Sequence, residues 1–358
     1  MGQSRRRRAR RRAARPRASR ALPHDSGADD LALPNELLAA ILDHLDGVEA
    51  VAAAWVNRRW RSALVRLGKG RAEKGYMHGL ASRGHLSALE WANANGCPWE
   101  HDVCAAAAAA GHLDAVRWLM VGGSHPRKEM WWSTYFGRHW LNVVWSAVAG
   151  GGHLEIARWL LGNGWRSGPS ACSGAARAGR LDVLKWLRTE GCPWNERTCA
   201  QAASGGHLEV IQWARSNGCH WDKRVYCEAA AGGHIEVLRW ALDNGCPRGF
   251  CACVDAAAGG RIEVLEWMRA QEVCSCSSGW TCHRAAYRGQ LATLQWLRTK
   301  GYQWHTRTCD AAAEGGHLAV LQWARANGCP WNREVALMTA REYKHADVAE
   351  WIERGGGD

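Results

Sequence analysis

Cysteine and histidine are the residues through which this chain could do chemistry, with fifteen of the first and sixteen of the second in 358 residues. Thiolate and imidazole are the ligands zinc favours, and thiolate is a strong nucleophile, so a metal centre or a nucleophilic site has to be weighed first. Their spacing answers most of the question. Cys97, Cys192, Cys219, Cys246 and Cys329 each lie six residues after a tryptophan, and Cys104, Cys172, Cys199, Cys253, Cys282 and Cys309 each lie seven before a glycine. A small, soft side chain that returns in fixed register fills a packing slot, so these eleven are expected to be reduced core residues. Cys251, Cys253, Cys274 and Cys276 form a C-x-C…C-x-C set, but structural zinc sites more usually space paired cysteines by about two to four residues. Seven histidines follow a glycine: His85, His112, His153, His207, His234, His317 and His345. Stacked helices stand about 8 to 10 Å apart, whereas ligands must reach within about 2.1 Å of one zinc, so this row cannot share metals. Each histidine is expected to hydrogen-bond locally at a helix start. Neither a nucleophile elbow, a phosphate loop nor a clustered acid pair is present, and Glu155, Glu209, Glu236 and Glu263 simply recur in register. The expectation is no catalytic residue, no metal and no cofactor.

The register belongs to an array. Trp91, Trp118, Trp159, Trp186, Trp213, Trp240, Trp267, Trp296, Trp323 and Trp351 follow one another at intervals of 27, 41, 27, 27, 27, 27, 29, 27 and 28 residues. Such self-similarity means one small unit copied many times, none able to bury its apolar face alone.

In the unit from Arg197 to Trp221, Thr198 to Ser204 reads as a short Ala-rich helix closed by Gly205 and Gly206, since glycine is what a helix end accepts most easily. A second helix begins at His207 and stops at Gly218, with Leu208, Val210, Ile211, Trp213 and Ala214 spread over a broad face. A face that wide suits a helix covered by its partner and by both adjoining units. Helices this short are unstable alone in water, so stacking has to supply the stability, with the repeat indoles as principal contacts.

The stretch Ala202-Ala203-Ser204-Gly205-Gly206-His207-Leu208-Glu209-Val210-Ile211 resembles the ankyrin repeat, and Ala109-Ala110-Gly111-His112-Leu113, Gly233-His234-Ile235-Glu236-Val237 and Gly316-His317-Leu318 repeat the likeness. The period is shorter than the family's, its T-P-L-H opening is absent, and Trp replaces an aliphatic residue. The missing residues fall where ankyrin repeats carry their protruding finger. The resemblance covers residues 72–354 and implies an all-α fold, an α-solenoid of about ten stacked ankyrin-like helix pairs. A leucine-rich alternative requires an L-x-x-L-x-L strand pattern that no unit shows.

Between Trp118 and Trp159 the array takes an insertion near residues 125–138, where Trp131, Trp132, Tyr135 and Phe136 stand beside Arg127, Lys128 and Arg138. This is interface-like composition and makes the four aromatics candidate target contacts; the alternative is a divergent first helix folded back on the array. Trp99, Trp194, Trp221, Trp304 and Trp331, eight residues after a repeat Trp, either pack over the gaps between units or form a recognition strip.

Residues 31–67 share nothing with the repeat. Pro34 sits where a helix can start and Glu36 falls in its first turn, followed by the apolar stripe Leu37, Leu38, Ile41, Leu42 and Leu45. A second helix is expected from about Val48 to Val65. A module this small has more apolar surface than it can bury alone, so a partner should cover part of it. The segment resembles an F-box through Leu33, Pro34, Glu36, Leu37, Leu38, Ile41, Leu42 and Leu45, then Val56, Arg58, Trp60 and Arg61, departing at Ala50 and Asn57. The resemblance implies docking on the Skp-type linker subunit of a cullin ubiquitin ligase through Leu33, Pro34, Leu37, Leu38, Ile41, Leu42, Leu45, Val56 and Trp60. The whole arrangement is similar to F-box and ankyrin-repeat proteins encoded by large DNA viruses of amoebae.

The net charge of +12 is a property of the N-terminus. Ten arginines lie between Arg5 and Arg20, and without them the balance is about +2, so the array offers no phosphate-tracking stripe. Residues 1–30 are expected to be a disordered Arg-rich tail, serving as an import signal, a weak polyanion contact or only a solvated extension; residues 355–358 are expected to be a flexible end. No apolar stretch suits a membrane span or secretory signal, which points to the cytoplasm or nucleus. The sequence therefore leads to a non-catalytic adaptor that links a target to a ubiquitin ligase. Its alternative is a binding or sequestering scaffold without that link.

Overall fold

The computed structural model describes residues 35–45, 49, 75–94, 97, 102–122, 135–249, 251–272 and 279–356. It divides into two compact units, Met1–Glu73 and Lys74–Asp358. The helix described in the first unit is α1 (Asn35–Asp43).

The second unit is an α-solenoid of ten helix pairs among the described residues: α2 (Tyr76–Ser82) and α3 (Leu86–Ala94), α4 (Val103–Ala109) and α5 (Leu113–Arg117), α6 (Tyr135–Gly151) and α7 (Leu154–Gly162), α8 (Pro169–Arg177) and α9 (Leu181–Thr189), α10 (Glu196–Ser204) and α11 (Leu208–Ser216). It continues with α12 (Lys223–Gly232) and α13 (Ile235–Asp243), α14 (Ala252–Ala258) and α15 (Ile262–Ala270), α16 (Trp280–Tyr287) and α17 (Leu291–Thr299), α18 (Thr308–Glu314) and α19 (Leu318–Ala326), α20 (Arg333–Glu342) and α21 (Ala346–Glu353). After α5 the backbone opens into a π-helical segment, Trp118–Gly122. None of the described helices is long and apolar enough to cross a membrane.

Each first helix packs on its own second helix and on the first helices before and after it. Small side chains allow this close approach: Ala171, Cys172, Ala175 and Ala176 of α8, and Cys199, Ala202 and Ala203 of α10, are buried. At one crossing even a methyl group is too large, because a Cβ on Gly174 would strike the Ser146 carbonyl oxygen of α6. The second helices bury Val210, Ile211 and Ala214 of α11 and their counterparts.

Local chemistry sets the ends. The Asn195 and Asp222 side chains accept from the backbone N–H groups of Arg197 and Arg224, capping α10 and α12. Gly206, at φ +77°, turns the chain from α10 into α11. The histidine after such glycines does something other than cap its own helix. His234 Nε2 donates to the Ser204 carbonyl of the preceding unit at 3.1 Å, and its ring occupies the space a Cβ on Gly206 would need. His112, His153, His207 and His345 bond likewise to Ser82, Ala109, Arg177 and Glu314. The expected local bond is thus replaced by a latch between units, because the helix-start ring reaches back onto the previous turn's open carbonyl. Arg261 stands in this slot in one unit, and its Nε donates to the Ala231 carbonyl.

The repeat tryptophans are half-buried, which corrects the expectation that indoles dominate the contacts. They line an edge. Trp194, Trp221, Trp304 and Trp331 each meet the repeat tryptophan of the following unit, Trp213, Trp240, Trp323 and Trp351, with ring centroids 5.8, 5.5, 5.9 and 6.3 Å apart. Arg188, Arg215, Arg298 and Arg325 lie over the connecting indoles. The same guanidinium groups donate to the carbonyls of Cys192, Cys219, Tyr302 and Cys329. These four connecting tryptophans therefore pack over the gaps; Trp99 lies outside the described residues.

Candidate functional site

On α1 two apolar pairs at i, i+4 spacing look in different directions. Leu38 and Leu42 are 2% and 0% exposed, whereas Leu37 and Ile41 are 53% and 47% exposed. The docking surface expected from sequence included all four. Leu38 and Leu42 are buried, and the 100° turn between successive helical residues sets them apart from the exposed pair. The outward stripe is Leu37 and Ile41, with Leu45 half-buried just beyond the helix. Two adjacent exposed aliphatics are a surface that a partner could cover, and fully burying each would be worth about 1.5 to 3 kcal/mol. Leu33, Pro34, Val56 and Trp60, expected in the same set, lie outside the described residues, as does the expected second helix apart from Glu49.

Of the insertion aromatics, Trp131 and Trp132 also lie outside the described residues. Tyr135 and Phe136 open α6, a helix of 17 residues. Part of the extra length is therefore additional first helix. Trp145 of α6, which spacing did not single out, is fully buried with its indole N–H unpaired. It sits fourteen residues before Trp159, the slot that Cys172, Cys199 and Cys309 hold before their own repeat tryptophans. That register is the sequence feature that could have found it.

Cys104, Cys172, Cys192, Cys199, Cys219, Cys246, Cys282, Cys309 and Cys329 are buried and free, and Cys97 is half-buried and free. Burial pushes the thiols of Cys104, Cys172 and Cys282 up to about 12, so they stay protonated and poorly nucleophilic at neutral pH. Hydrogen bonds to the Cys219 and Cys329 thiols, then burial, raise Cys199 and Cys309. Cys253 departs from the expected reduced state: it is disulfide-bonded. Register fixed its burial, but said nothing of a second thiol within reach. Cys251 of the C-x-C set is exposed and free, and Cys274 and Cys276 lie outside the described residues.

The first-helix side of the array carries a cleft, a cavity of about 1000 Å³ spanning four units from Glu228 to Glu314. Its floor is small, at Ala231, Ala258 and Gly259, and its walls carry charge of both signs. Sequence reading did not single it out, because these residues lie in four separate units.

Residues 31–71 match the F-box domain family. No curated protein matches the chain. Among solved structures, the human ASB11 ankyrin repeat domain aligns with 52% of this chain and 98% of its own, at 18% identity and a TM-score of 0.38. The pentatricopeptide repeat protein PPR10 from maize aligns with 90% of this chain and 54% of its own, at 17% identity and a TM-score of 0.34. PPR10 in complex with an 18-nt psaJ RNA element gives 90%, 53%, 16% and 0.34. At such scores neither likeness adds to what the packing itself defines. The chain carries an F-box domain ahead of a helical repeat array, the make-up of a protein-binding F-box adaptor in general.

Proposed function

We propose that this chain is a non-catalytic adaptor: residues 31–67 dock on the Skp-type linker subunit of a cullin ubiquitin ligase, and the array, residues 72–354, holds a target protein. The observation that carries the reading is the split of α1, where Leu37 and Ile41 stand exposed over buried Leu38 and Leu42 inside the F-box match. A small module with an uncovered aliphatic stripe leaves apolar surface for a partner helix to cover. Holding a target beside a charged ubiquitin carrier raises effective concentration without adding a reacting group. The adaptor would act inside the cell, where that machinery resides.

The test is proximity labelling with the full chain and with Leu37→Asp/Ile41→Asp. The adaptor reading expects the double variant to lose linker and cullin while its array-dependent neighbours persist and accumulate. Equal recovery of linker from both forms, or none from the wild type, would reduce the protein to a binding or sequestering scaffold.

A further inference from the structure

Twelve residues before each repeat tryptophan the first helices show one row of side chains, reading Gly79, Ala106, Ala147, Gly174, Gln201, Glu228, Asp255, Arg284, Ala311 and Thr339. The row is small or neutral except in three consecutive units, where it becomes Glu, Asp and Arg. Stacking does not require these charges, since other units of the array stack with Ala or Gly in the same slot. All three line the cleft described above, joined at its basic end by Arg288. Glu228, Arg284 and Arg288 form no ion pair among the described residues, and the Arg284 guanidinium lies 5.5 Å from the Tyr287 ring centroid. Burial raises the Asp255 carboxyl, the Cys227 thiol and Arg284 counter that shift, and Glu228 adds to it by repulsion. Two carboxylates that repel each other ask for a cation, and two guanidiniums beside them with no ion pair among the described residues ask for an anion. Further along, Glu314 is engaged by the Tyr343 hydroxyl, which leaves Arg284 and Arg288 as the open basic end.

We propose that this cleft seats an extended segment of the target that places a cationic side chain against Glu228 and Asp255 and an anionic one, carboxylate or phosphate, against Arg284 and Arg288. The assignment deepens the adaptor reading and rests on the array being its target-binding part. The spacing follows from geometry: stacked helices about 8 to 10 Å apart and an extended chain rising about 3.3 Å per residue put the two side chains roughly three to five residues apart. The floor at Ala231, Ala258 and Gly259 leaves room for the backbone to lie close.

Fluorescence anisotropy on the full chain tests this with short labelled peptides carrying Lys and Glu about four residues apart. Companion peptides replace Glu with phosphoserine, Glu with Gln, or Lys with Gln. The Lys/Glu and Lys/phosphoserine peptides should bind, their ranking telling carboxylate from phosphate, and each Gln peptide should bind about fivefold more weakly, as loss of one partly exposed charge pair allows. Arg284→Glu/Arg288→Glu should weaken the Lys/Glu peptide by about tenfold and favour a Lys/Lys peptide instead. Glu228→Gln/Asp255→Asn should erase the preference for Lys while keeping that for Glu, so a misfolded charge-reversal variant would not leave the question open. Equal binding of all peptides, no binding of any, or an unchanged ranking in both variants overturns the proposal. Labelling that still recovers linker and array-dependent neighbours in that event would leave the adaptor reading standing.

Discussion

The seam where first helices meet and the edge where tryptophans gather hold one array by opposite means. Along the seam the side chains are Ala, Gly and Cys, fully buried, and backbones approach until a Cβ on Gly174 would strike the Ser146 carbonyl. Along the edge the side chains are the largest available, half-exposed, joined by indole contacts such as Trp221 on Trp240 at 5.5 Å and by arginines laid over them. The residues that most plainly announce the repeat are therefore not its core. Their flat faces cover the gap between units, while water exclusion is completed by small residues whose spacing is far less conspicuous.

The difference can be sharpened by truncation and overpacking, read as unfolding free energy from denaturant titration. Ile211→Ala empties a fully buried site between the helices of one pair and should cost about 4 kcal/mol. Gly174→Val forces three side-chain carbons into the seam and should cost about 3 kcal/mol. Trp213→Ala on the edge should cost about 2 kcal/mol, below the range of about 3 to 5 for a buried tryptophan; a larger loss from Trp213 than from Ile211 would break the comparison. The smallest effect has the opposite sign. Asp310 is a carboxylate on the seam, 7% exposed with Oδ1 unpaired, thirteen residues before Trp323, where the Trp118 and Trp213 units have Ala105 and Ala200. Burial raises its carboxyl above the ordinary value of 3.8, and Arg307 opposes the shift. As pH rises the unfolded chain ionises first, so stability is lost between the ordinary value and the raised one. Asp310→Ala should therefore gain about 1 kcal/mol at neutral pH, and the gain should shrink as pH falls from the raised value toward 3.8 and be gone below it; thermal unfolding across that range checks it.

Much of this was legible in sequence because it is set within one unit. Gly206 and Gly218 mark helix ends through local backbone preference, and the cysteine slots follow from register alone. What was not legible depends on the neighbouring unit or on which side of a helix is covered. The bond from His234 to Ser204 spans thirty residues and crosses units, so nothing beside the histidine announces it. Leu37 and Leu38 are chemically identical, and only the packed fold decides that one is interior and the other exposed. Trp145 stands in a slot that cysteine holds elsewhere, so its type alone does not reveal its burial, and the charges of the cleft face one another only once three units are stacked.

The exposed stripe of α1 is where the adaptor account is most directly tested, by titration calorimetry of the full chain with a purified Skp-type linker subunit. Saturable binding at one linker per chain, lost in Leu37→Asp/Ile41→Asp while thermal unfolding of the array stays unchanged, is the predicted result. No heat of binding from the wild type, or equal affinity in the double variant, would contradict it.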